Sequence, residues 1–472
     1  MPAHRDTRKR QPRPGIGLPM DIQRSSTSQV LLYALPAMAI AFINLPATMV
    51  LPTFYVEHTT ASLAGIGLVN LLRWWFDAAT DPMVGYLSDR TQSRWGRRKP
   101  WMVAGAVVTS VAVFMLFRPS PVVGSWYYAV WMCAVYLGFT MFSIALMAWG
   151  SELAVDYNDR SRISTYYALM TVVGSILFWV LPLALSPFTG SSDIGPPAIN
   201  GIAWVFIFIM PVATLLAIRF VPQGVSLATR KQASIRKTIS QLRFNKPLWR
   251  FVMAQATWGI GQGVYLSVIF VFMRDYLQLG DKFPILMIWF FIVQTFSMPV
   301  WARLMRRFGK HRSWAFSWAA YSLVQPVVLL FEPGATAFLP AMGVVTVTAF
   351  INSASYIAPM ALLGDIADYG TLKTGSNNTG NYFAIQTLLQ KATMGVGAGL
   401  AFPILALFGY ELGGDNPDSA NLGLILVYIV VPALTSVLAA MMLWNFPIDA
   451  RRHGIIRRRL EQLAARSGEP AV

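Results

Sequence analysis

Two aspartates, Asp77 and Asp81, lie inside an apolar segment that begins near Leu63 and is long enough to cross a bilayer. A charged side chain near the bilayer centre costs about 2.5–3.5 kcal/mol on insertion scales, so the pair needs a partner, a cavity or an ion. The i,i+4 spacing places both carboxylates on one helical face, one turn apart. Carboxylates this close cannot both stay ionised unless a cation lies between them or one binds a proton. The spacing therefore predicts cation or proton binding.

Two basic residues are candidate partners of these acids. Arg73 precedes Asp77 by one turn, so a structural ion pair between them is an alternative to cation binding, whereas Asp81 has no such local partner. Lys391 is the one basic residue deep in the second half of the chain, near the middle of an apolar span of about thirty residues. A lysine there is too far from either membrane surface to snorkel, so we expect Asp77 or Asp81 to face it.

The composition is that of a helical membrane protein with many spans. Of 472 residues, 55% are hydrophobic and 12% are charged, which excludes an ordinary soluble enzyme. The formal net charge is +17, but the cations cluster between apolar segments, so membrane orientation explains them without a nucleic acid. Cys133 is the sole cysteine, and the four histidines lie in tails or loops, so we expect no resident metal and no cofactor.

Hydropathy predicts twelve spans in two sets of six. The first set covers about 29–54, 63–88, 101–119, 125–150, 164–187 and 201–221, and the second about 250–273, 284–305, 314–331, 338–363, 380–409 and 423–447. The expected organisation is a disordered basic arm (1–28), a six-helix bundle (29–221), a polar linker (222–249), a second bundle (250–447) and a basic tail (448–472).

The distribution of Lys and Arg predicts the orientation. With the N-terminal arm in the cytoplasm, the inside segments hold 32 Lys and Arg, and the opposite face holds three, Arg118, Arg274 and Lys282. Both termini are therefore expected in the cytoplasm.

The two halves repeat each other weakly. The segment Asp81–Gly85, followed by Gly96-Arg97-Arg98, corresponds to Met298–Ala302, followed by Gly309-Lys310-His311-Arg312. Likewise Ala145–Leu153 corresponds to Ala358–Ile366. Repeated bundles of this kind are typical of transporters that rock around a central site. Because the second half has Met298 and Arg306 where the first has Asp81 and Asp89, these aspartates are specific to one bundle, which favours a functional role.

These motifs resemble one known family, the glycoside–pentoside–hexuronide:cation symporters of the major facilitator superfamily. The resemblance spans about residues 30–447 and rests on a series of segments in the same order: Asp77–Pro82, Ser93–Gly96, Lys99–Trp101, Glu152-Leu153, Ala367–Gly370, Gln386-Thr387 and Lys391. It implies an all-α major facilitator fold of twelve transmembrane helices in an inner membrane. It also implies symport of a small organic solute with sodium, lithium or a proton, by a chain we expect to be monomeric.

The resemblance also implies roles for single residues. The cation would lie between Asp77 and Asp81, with oxygens from Thr80 and Thr140, and such oxygen ligands suit a hard cation. Thr80 replaces an amide that sugar-carrying members have, so the choice between sodium and proton stays open. Coupling positions of the eleventh span fall on Gln386, Thr387 and Lys391, and an aromatic sugar-facing position falls on Tyr356.

Three positions that carry charged sugar ligands in such members fall on Ala41, Ser143 and Tyr167 here. None is charged, and discrimination between polyols relies largely on bidentate charged contacts. We therefore expect an aromatic, aglycone-bearing or amphiphilic solute rather than a free disaccharide such as melibiose. Two alternatives are transport or flipping of an amphiphile such as a lysophospholipid, and a channel or sensor without coupling.

Several charged residues are expected at the cytoplasmic helix ends, where they would act as a gate. They are Asp89, Arg97, Glu152, Asp365 and Asp368. Because the acids occupy mirrored positions in the two halves, we expect salt bridges across the bundles, with Arg160, Arg162 or Lys373 as partners.

The orientation can be tested with reporter fusions. Fusions at the arm, at the linker 222–249 and at the tail 448–472 should be active with a cytoplasmic reporter and inactive with one that works only in the periplasm. Periplasmic activity at the linker would contradict the twelve-span arrangement.

Overall fold

The computed structural model describes residues 25–154, 157–223, 245–375, 379–412, 414 and 416–467, and these form helices joined by short loops, without a strand in those ranges. Most of the predicted arm and linker lie outside the described residues. The first half contains six helices: α1 (Thr27–His58), α2 (Leu63–Arg90), α3 (Lys99–Phe117), α4 (Ser125–Leu153), α5 (Tyr157–Thr189) and α6 (Pro196–Phe220).

The second half has more breaks in its helices. It contains α7 (Lys246–Val271), α8 (Phe283–Phe308), α9 (Lys310–Val324), α10 (Phe338–Asn352), α11 (Ala354–Thr374), α12 (Thr379–Leu407), α13 (Asp418–Ile425), α14 (Val431–Trp444) and α15 (Ala450–Ser467). A π-helical turn, Phe272–Tyr276, extends α7, and another, Leu426–Val430, joins α13 to α14 as one span. The helices α10 and α11 together form the tenth span, with a break at Ser353.

The expected all-α membrane fold is confirmed. Eleven segments of the described chain are long and apolar enough to cross a membrane. The twelfth span is α2, whose 28 residues extend about 42 Å but include Arg73, Asp77 and Asp81. Several helices extend beyond the predicted apolar spans. The fifth span begins at Tyr157 rather than 164, and the tenth ends at Thr374 rather than 363. Backbone hydrogen bonding continues where the side chains become polar, which hydropathy does not register.

Polar residues fix several helix starts. Ser26 forms a capping box with Gln29 at the start of α1, and the Ser62 hydroxyl accepts a hydrogen bond from the Gly65 N–H at the start of α2. Asn245 caps α7 in the same way through the Leu248 N–H. Inside α2, Pro82 has no N–H, so the carbonyl of Ala78 has no helical donor. The Ala78 carbonyl, one turn before Asp81, therefore lacks the i+4 hydrogen bond of a regular helix.

The two halves share a core at one end, which we call the closed end. There the Arg274 guanidinium bonds to the Glu57 carboxylate, and the Ser192 hydroxyl donates to the Asp281 carbonyl over 2.8 Å. The rings of Trp179 in α5 and Phe283 in α8 meet edge to face, 5.3 Å apart. Buried apolar residues of α7 and α8 belong to the same cluster as those of the first half. The closed end is therefore sealed by ionic and apolar contacts together.

Glycines of α12 set its distance from the neighbouring helices. A Cβ added at Gly395 would lie 2.3 Å from the Trp74 Cβ, and one at Gly399 would lie 2.5 Å from the Leu71 Cβ, both on α2. On another face of α12, a Cβ at Gly397 would lie 2.0 Å from the Ile260 carbonyl oxygen of α7. Only glycine permits these approaches, so α12 is held tightly between one helix of each half.

Beyond this seam, α2 and α12 diverge toward the other end, which we call the basic end because the Arg-rich loop after α2 and the arginines in the last turn of α8 lie there. Gly85 follows Asp81 by one turn on α2, and a Cβ added there would meet nothing within 4 Å. Leu388, one turn before the level of Lys391, is 51% exposed. The chain thus has a conformation that is closed at one end and open at the basic end.

Candidate functional site

Four predicted residues meet between α2, α4 and α12, midway along the helices. The Lys391 ammonium lies 2.8 Å from Asp77 Oδ2 and 2.5 Å from Asp81 Oδ2. The Thr140 hydroxyl lies 2.8 Å from Asp77 Oδ1 and 3.1 Å from Asp81 Oδ1. One hydroxyl proton serves one acceptor at a time, so these two contacts share a single donor. The two carboxylates are therefore bridged by Lys391 on one side and by Thr140 on the other.

Helix geometry and the glycine seam explain this meeting. Asp77 and Asp81 share one face of α2, and the same face, one turn toward the closed end, carries Trp74. Trp74 packs on Gly395, and Lys391 precedes Gly395 by one turn of α12. The close approach of the two helices at Gly395 therefore delivers the lysine of one half to the acids of the other.

The site opens toward the basic end. The side chain of Asp77 is 6% exposed, and that of Asp81 is 26% exposed. The Lys391 side chain is 24% exposed, and Thr140 is buried. A small ion or water entering from the basic end therefore reaches Asp81 before Asp77.

Other predicted residues lie apart from this centre. Thr80 is buried, but its hydroxyl donates to the Asp77 backbone carbonyl over 3.1 Å and not to a carboxylate. Thr387 is exposed, one turn before Lys391, and its hydroxyl donates to the Phe383 carbonyl of its own helix. Gln386 is half-buried on the same helix. In this conformation the centre consists of Asp77, Asp81, Thr140 and Lys391.

Arg73 does not form the ion pair with Asp77 that was the local alternative. Its side chain is fully buried, and none of its three guanidinium nitrogens has a hydrogen-bond partner in the described structure. The guanidinium instead lies over two rings, 4.5 Å from the centroid of Trp74 and 4.2 Å from that of Tyr136. These cation–π contacts partly offset the cost of burying the charge. The sequence contained a hint, because Tyr136 precedes Thr140 by one turn and shares its helical face.

The predicted substrate positions lie on both halves. Ala41 on α1 is buried, and Ser143 on α4 and Tyr167 on α5 are half-buried. These three helices pack against one another in the first half. Tyr356 lies in the first turn of α11, just after the break at Ser353, and is 56% exposed. The structure contains no solute, so their role in binding one stays a prediction.

The charged residues expected at the gate form pairs within each half. Arg97 lies 3.0 Å from Glu152, and Arg98 lies 2.7 Å from Asp89. In the second half Lys310 lies 2.7 Å from Asp365, and the His453 ring lies 3.0 Å from Asp368.

Arg160, Arg162 and Lys373 are therefore not the observed partners of these acids, and Arg162 instead lies 3.5 Å from Asp159. The reason is geometric: the halves are apart at the basic end in this conformation, so the pairs that form there are local. A gating role for these residues stays a prediction.

A polytopic helical chain of two halves with six spans each, and a charged centre where the halves meet, has the architecture of a secondary membrane transporter. Residues 32–450 match the family described as MFS/sugar transport protein, and the chain belongs to this family. The expected superfamily is thereby confirmed, as is the expectation that the chain is a transporter and not an enzyme.

Relatives and solved structures agree with this assignment. A lactose permease of Leuconostoc lactis is 25% identical, with 83% of this chain and 63% of the permease aligned. A sodium-dependent lysophosphatidylcholine symporter 1-A of Danio rerio is 22% identical, over 82% of this chain and 79% of the symporter. The crystal structure of the nucleoside transporter NupG shares the fold, with a TM-score of 0.62 at 10% identity, covering 89% of this chain and 100% of that chain.

Replacing Lys391 tests the centre without knowledge of the solute. Lys391→Ala removes the ammonium that contacts both carboxylates. Because Lys391 is partly exposed, the expected stability loss is about 2–3 kcal/mol, less than for a fully buried pair. Added Na⁺, or a lower pH, should restore part of this loss because either neutralises the pair. The measurement is thermal unfolding of purified protein with and without Na⁺, with Lys373→Ala as control. Unchanged stability and no response to Na⁺ or pH would show that the centre does not bind a cation.

Proposed function

We propose that this chain is a cation-coupled symporter that binds Na⁺ or H⁺ at Asp77, Asp81 and Thr140 and an organic solute near the midplane. The observation that carries the proposal is the position of the Lys391 ammonium, which lies between two carboxylates of the opposite half. An ammonium in that place fills the position that a coupling cation needs. The Thr140 hydroxyl is a further oxygen ligand, and the Ala78 carbonyl, which lacks its i+4 helical donor, would be another.

The coupling follows from competition for the same carboxylates. Without the ion, Lys391 pairs with both acids, the buried charge of Arg73 balances the remainder, and the ion pair ties α12 to α2. When a cation or proton binds, the carboxylates no longer need the ammonium, and the ionic contact between the halves at the midplane weakens. The halves can then change their relative tilt with the solute bound. A carrier of this type exposes its site to one side at a time, which a channel does not do.

The proposed orientation places the basic end in the cytoplasm of a cell with this chain in its inner membrane. The excess of Lys and Arg on this side supports the assignment, since 32 such residues lie in the segments assigned to the inside and three outside. The open conformation then faces inward, and Asp81 is the first acid that a departing cation passes.

The proposed solute is less polar than a free disaccharide. Lys391 and Thr140 contact both carboxylates of the centre, so these acids are engaged with the same counter-charge and donor in this conformation. Ala41, Ser143 and Tyr167 provide no charge in their place. We infer an aromatic glycoside or an amphiphile as solute. A lysophospholipid is the more specific candidate, favoured by the Danio rerio relative that is named as a lysophosphatidylcholine symporter.

The coupling role of Asp81 can be measured directly. Asp81→Asn removes the more accessible carboxylate but keeps its size, so the protein should remain folded in the membrane and lose cation-driven accumulation of solute. Asp418→Asn, at the start of α13 and far along the chain from the centre, serves as control. Undiminished gradient-driven uptake by Asp81→Asn would contradict the cation site. Uptake by the parent that never exceeds equilibrium would favour a channel.

The solute class can be tested by competition in proteoliposomes under an imposed sodium or proton gradient. We expect aryl glycosides or lysophospholipids to bind, and unsubstituted lactose or melibiose to be neither accumulated nor competitive, because Ala41, Ser143 and Tyr167 supply no charged ligand for their hydroxyls. Tight, gradient-driven accumulation of a free disaccharide would return the solute to the sugars, while leaving the coupling proposal intact.

A further inference from the structure

A second candidate site lies at the basic end of the second half. A cavity of about 580 Å³ lies where α8 ends, α9 begins and α14 gives way to α15. Its charged lining consists of five arginines and one carboxylate: Arg306, Arg307, Arg312, Arg451, Arg452 and Asp449. This cavity is separate from the centre around Lys391, and nothing in the transport cycle proposed above uses it.

The internal repeat provides a comparison within the same molecule. In the first half, Arg97 pairs with Glu152, and in the second half the equivalent Lys310 pairs with Asp365. Here the two halves agree. They differ at Asp89, which pairs with Arg98 over 2.7 Å, because the equivalent position in the second half is Arg306. The second half thus has a cation at the position where the first half has an acid.

At a second repeated position, the cation of the second half again has fewer partners than that of the first. The Lys99 ammonium donates to the Ile218 and Val221 carbonyls at the end of α6, over 2.8 and 3.0 Å. The equivalent residue is Arg312, which lies in the cavity beside the end of α14 and makes no such bond in the described ranges. The cationic side chain at this repeated position is therefore hydrogen-bonded to a helix end in the first half and lacks such a bond in the described part of the second half.

The one carboxylate in the lining is already engaged. Asp449 Oδ1 accepts the Arg452 N–H over 2.7 Å and so caps the start of α15. This backbone hydrogen bond holds the pKa of Asp449 below its usual value, so the carboxylate stays ionised in this role. Within the residues that the structure describes, Arg306, Arg312 and Arg451 have no carboxylate partner.

The same cavity has apolar side chains at the level of the helix ends. Phe308 and Trp444 belong to its lining and are 57% and 49% exposed. Next to it, α15 buries Ile456 against the second half and leaves Ile455 and Leu463 about half exposed. Arginines beside exposed aromatic and aliphatic groups, at the ends of transmembrane helices, fit the boundary between lipid headgroups and acyl chains.

We propose that this cavity binds the phosphate groups of an anionic phospholipid. Unpaired arginines supply charge and forked donors for phosphate oxygens, and the exposed Phe308 and Trp444 accommodate the apolar part next to the headgroup. A free phosphate ion satisfies the arginines but not the apolar wall. The observations therefore favour a lipid, and a doubly charged headgroup with two phosphates uses the five arginines best.

The test uses the purified full-length protein, stripped of lipid in detergent. Phosphatidylglycerol, cardiolipin, phosphatidylcholine of matched chains and sodium phosphate are added separately, and bound lipid is counted by native mass spectrometry alongside thermal unfolding. We expect cardiolipin and phosphatidylglycerol to bind and stabilise the parent. A variant with Arg306→Gln, Arg312→Gln and Arg451→Gln should bind them about a hundredfold more weakly, from a factor of about five for each arginine near the membrane surface.

The matched control removes as many arginines from the same end: Arg457→Gln, Arg458→Gln and Arg459→Gln on α15, outside the cavity. It should bind like the parent, and Arg306→Lys, Arg312→Lys and Arg451→Lys together should bind more tightly than the glutamine variant but less tightly than the parent, because lysine keeps the charge without the forked donors. If the triple glutamine variant does not fold, Arg306→Gln alone should show the fivefold loss. Equal losses in the cavity variant and the control, equal binding of phosphatidylcholine, or equal stabilisation by sodium phosphate would each overturn the proposal.

Discussion

Two carboxylates in the interior of a membrane protein must be neutralised, and this constraint governs the structure. Asp77 and Asp81 lie on one half, and their counter-charge, Lys391, lies on the other. Removing either partner leaves a charge in a medium of low dielectric constant, where it costs several kcal/mol. The halves are therefore tied together at the midplane by a contact that any competing cation weakens. In the proposed mechanism, the same ion pair meets this structural requirement and couples the cation to the solute.

The helix packing serves this contact. Close approach of α2 and α12 at Gly395 and Gly399 brings Lys391 within reach of the acids, and larger residues at these positions are incompatible with the observed spacing. The contacts at the closed end, including Arg274 with Glu57, hold the same two halves together beyond the seam. At the basic end nothing comparable brings Gly85 of α2 near α12, so access to the centre comes from that side.

Much of the fold and of the centre could be predicted from the sequence, since charged side chains inside apolar spans need an opposite charge or a cavity. The spacing of Asp77 and Asp81 and the isolation of Lys391 were sufficient to place these groups together. The environment of Arg73 was not predicted, because it depends on the ring of Tyr136, which lies on another helix and far along the chain, as well as on that of the adjacent Trp74. The partners of the acids at the basic end depend on which end is open, and a sequence that encodes several conformations does not specify the one observed.

The break at Ser353, the π-helical turns and the tail helix α15 were also not predicted. Each depends on tertiary packing more than on local hydropathy. The helix α15 is polar over most of its surface, and it is anchored by the burial of Ile456 and by the contact of His453 with Asp368. The many arginines make the mean hydropathy of this segment low, so a hydropathy profile indicates a solvated tail and not a packed helix.

The unpaired guanidinium of Arg73 determines how the membrane voltage acts on the protein. Arginine keeps its charge in proteins, so the group formed by Arg73, Asp77, Asp81 and Lys391 is electrically neutral when it holds no ion. In the proposed mechanism, one bound monovalent cation or proton makes it +1. With the proposed orientation, a voltage negative on the basic side assists movement of this loaded form toward that side by up to about 2.3 kcal/mol per 100 mV, while the empty form returns without electrical work. A residue that touches neither acid thus determines which half of the cycle is sensitive to voltage.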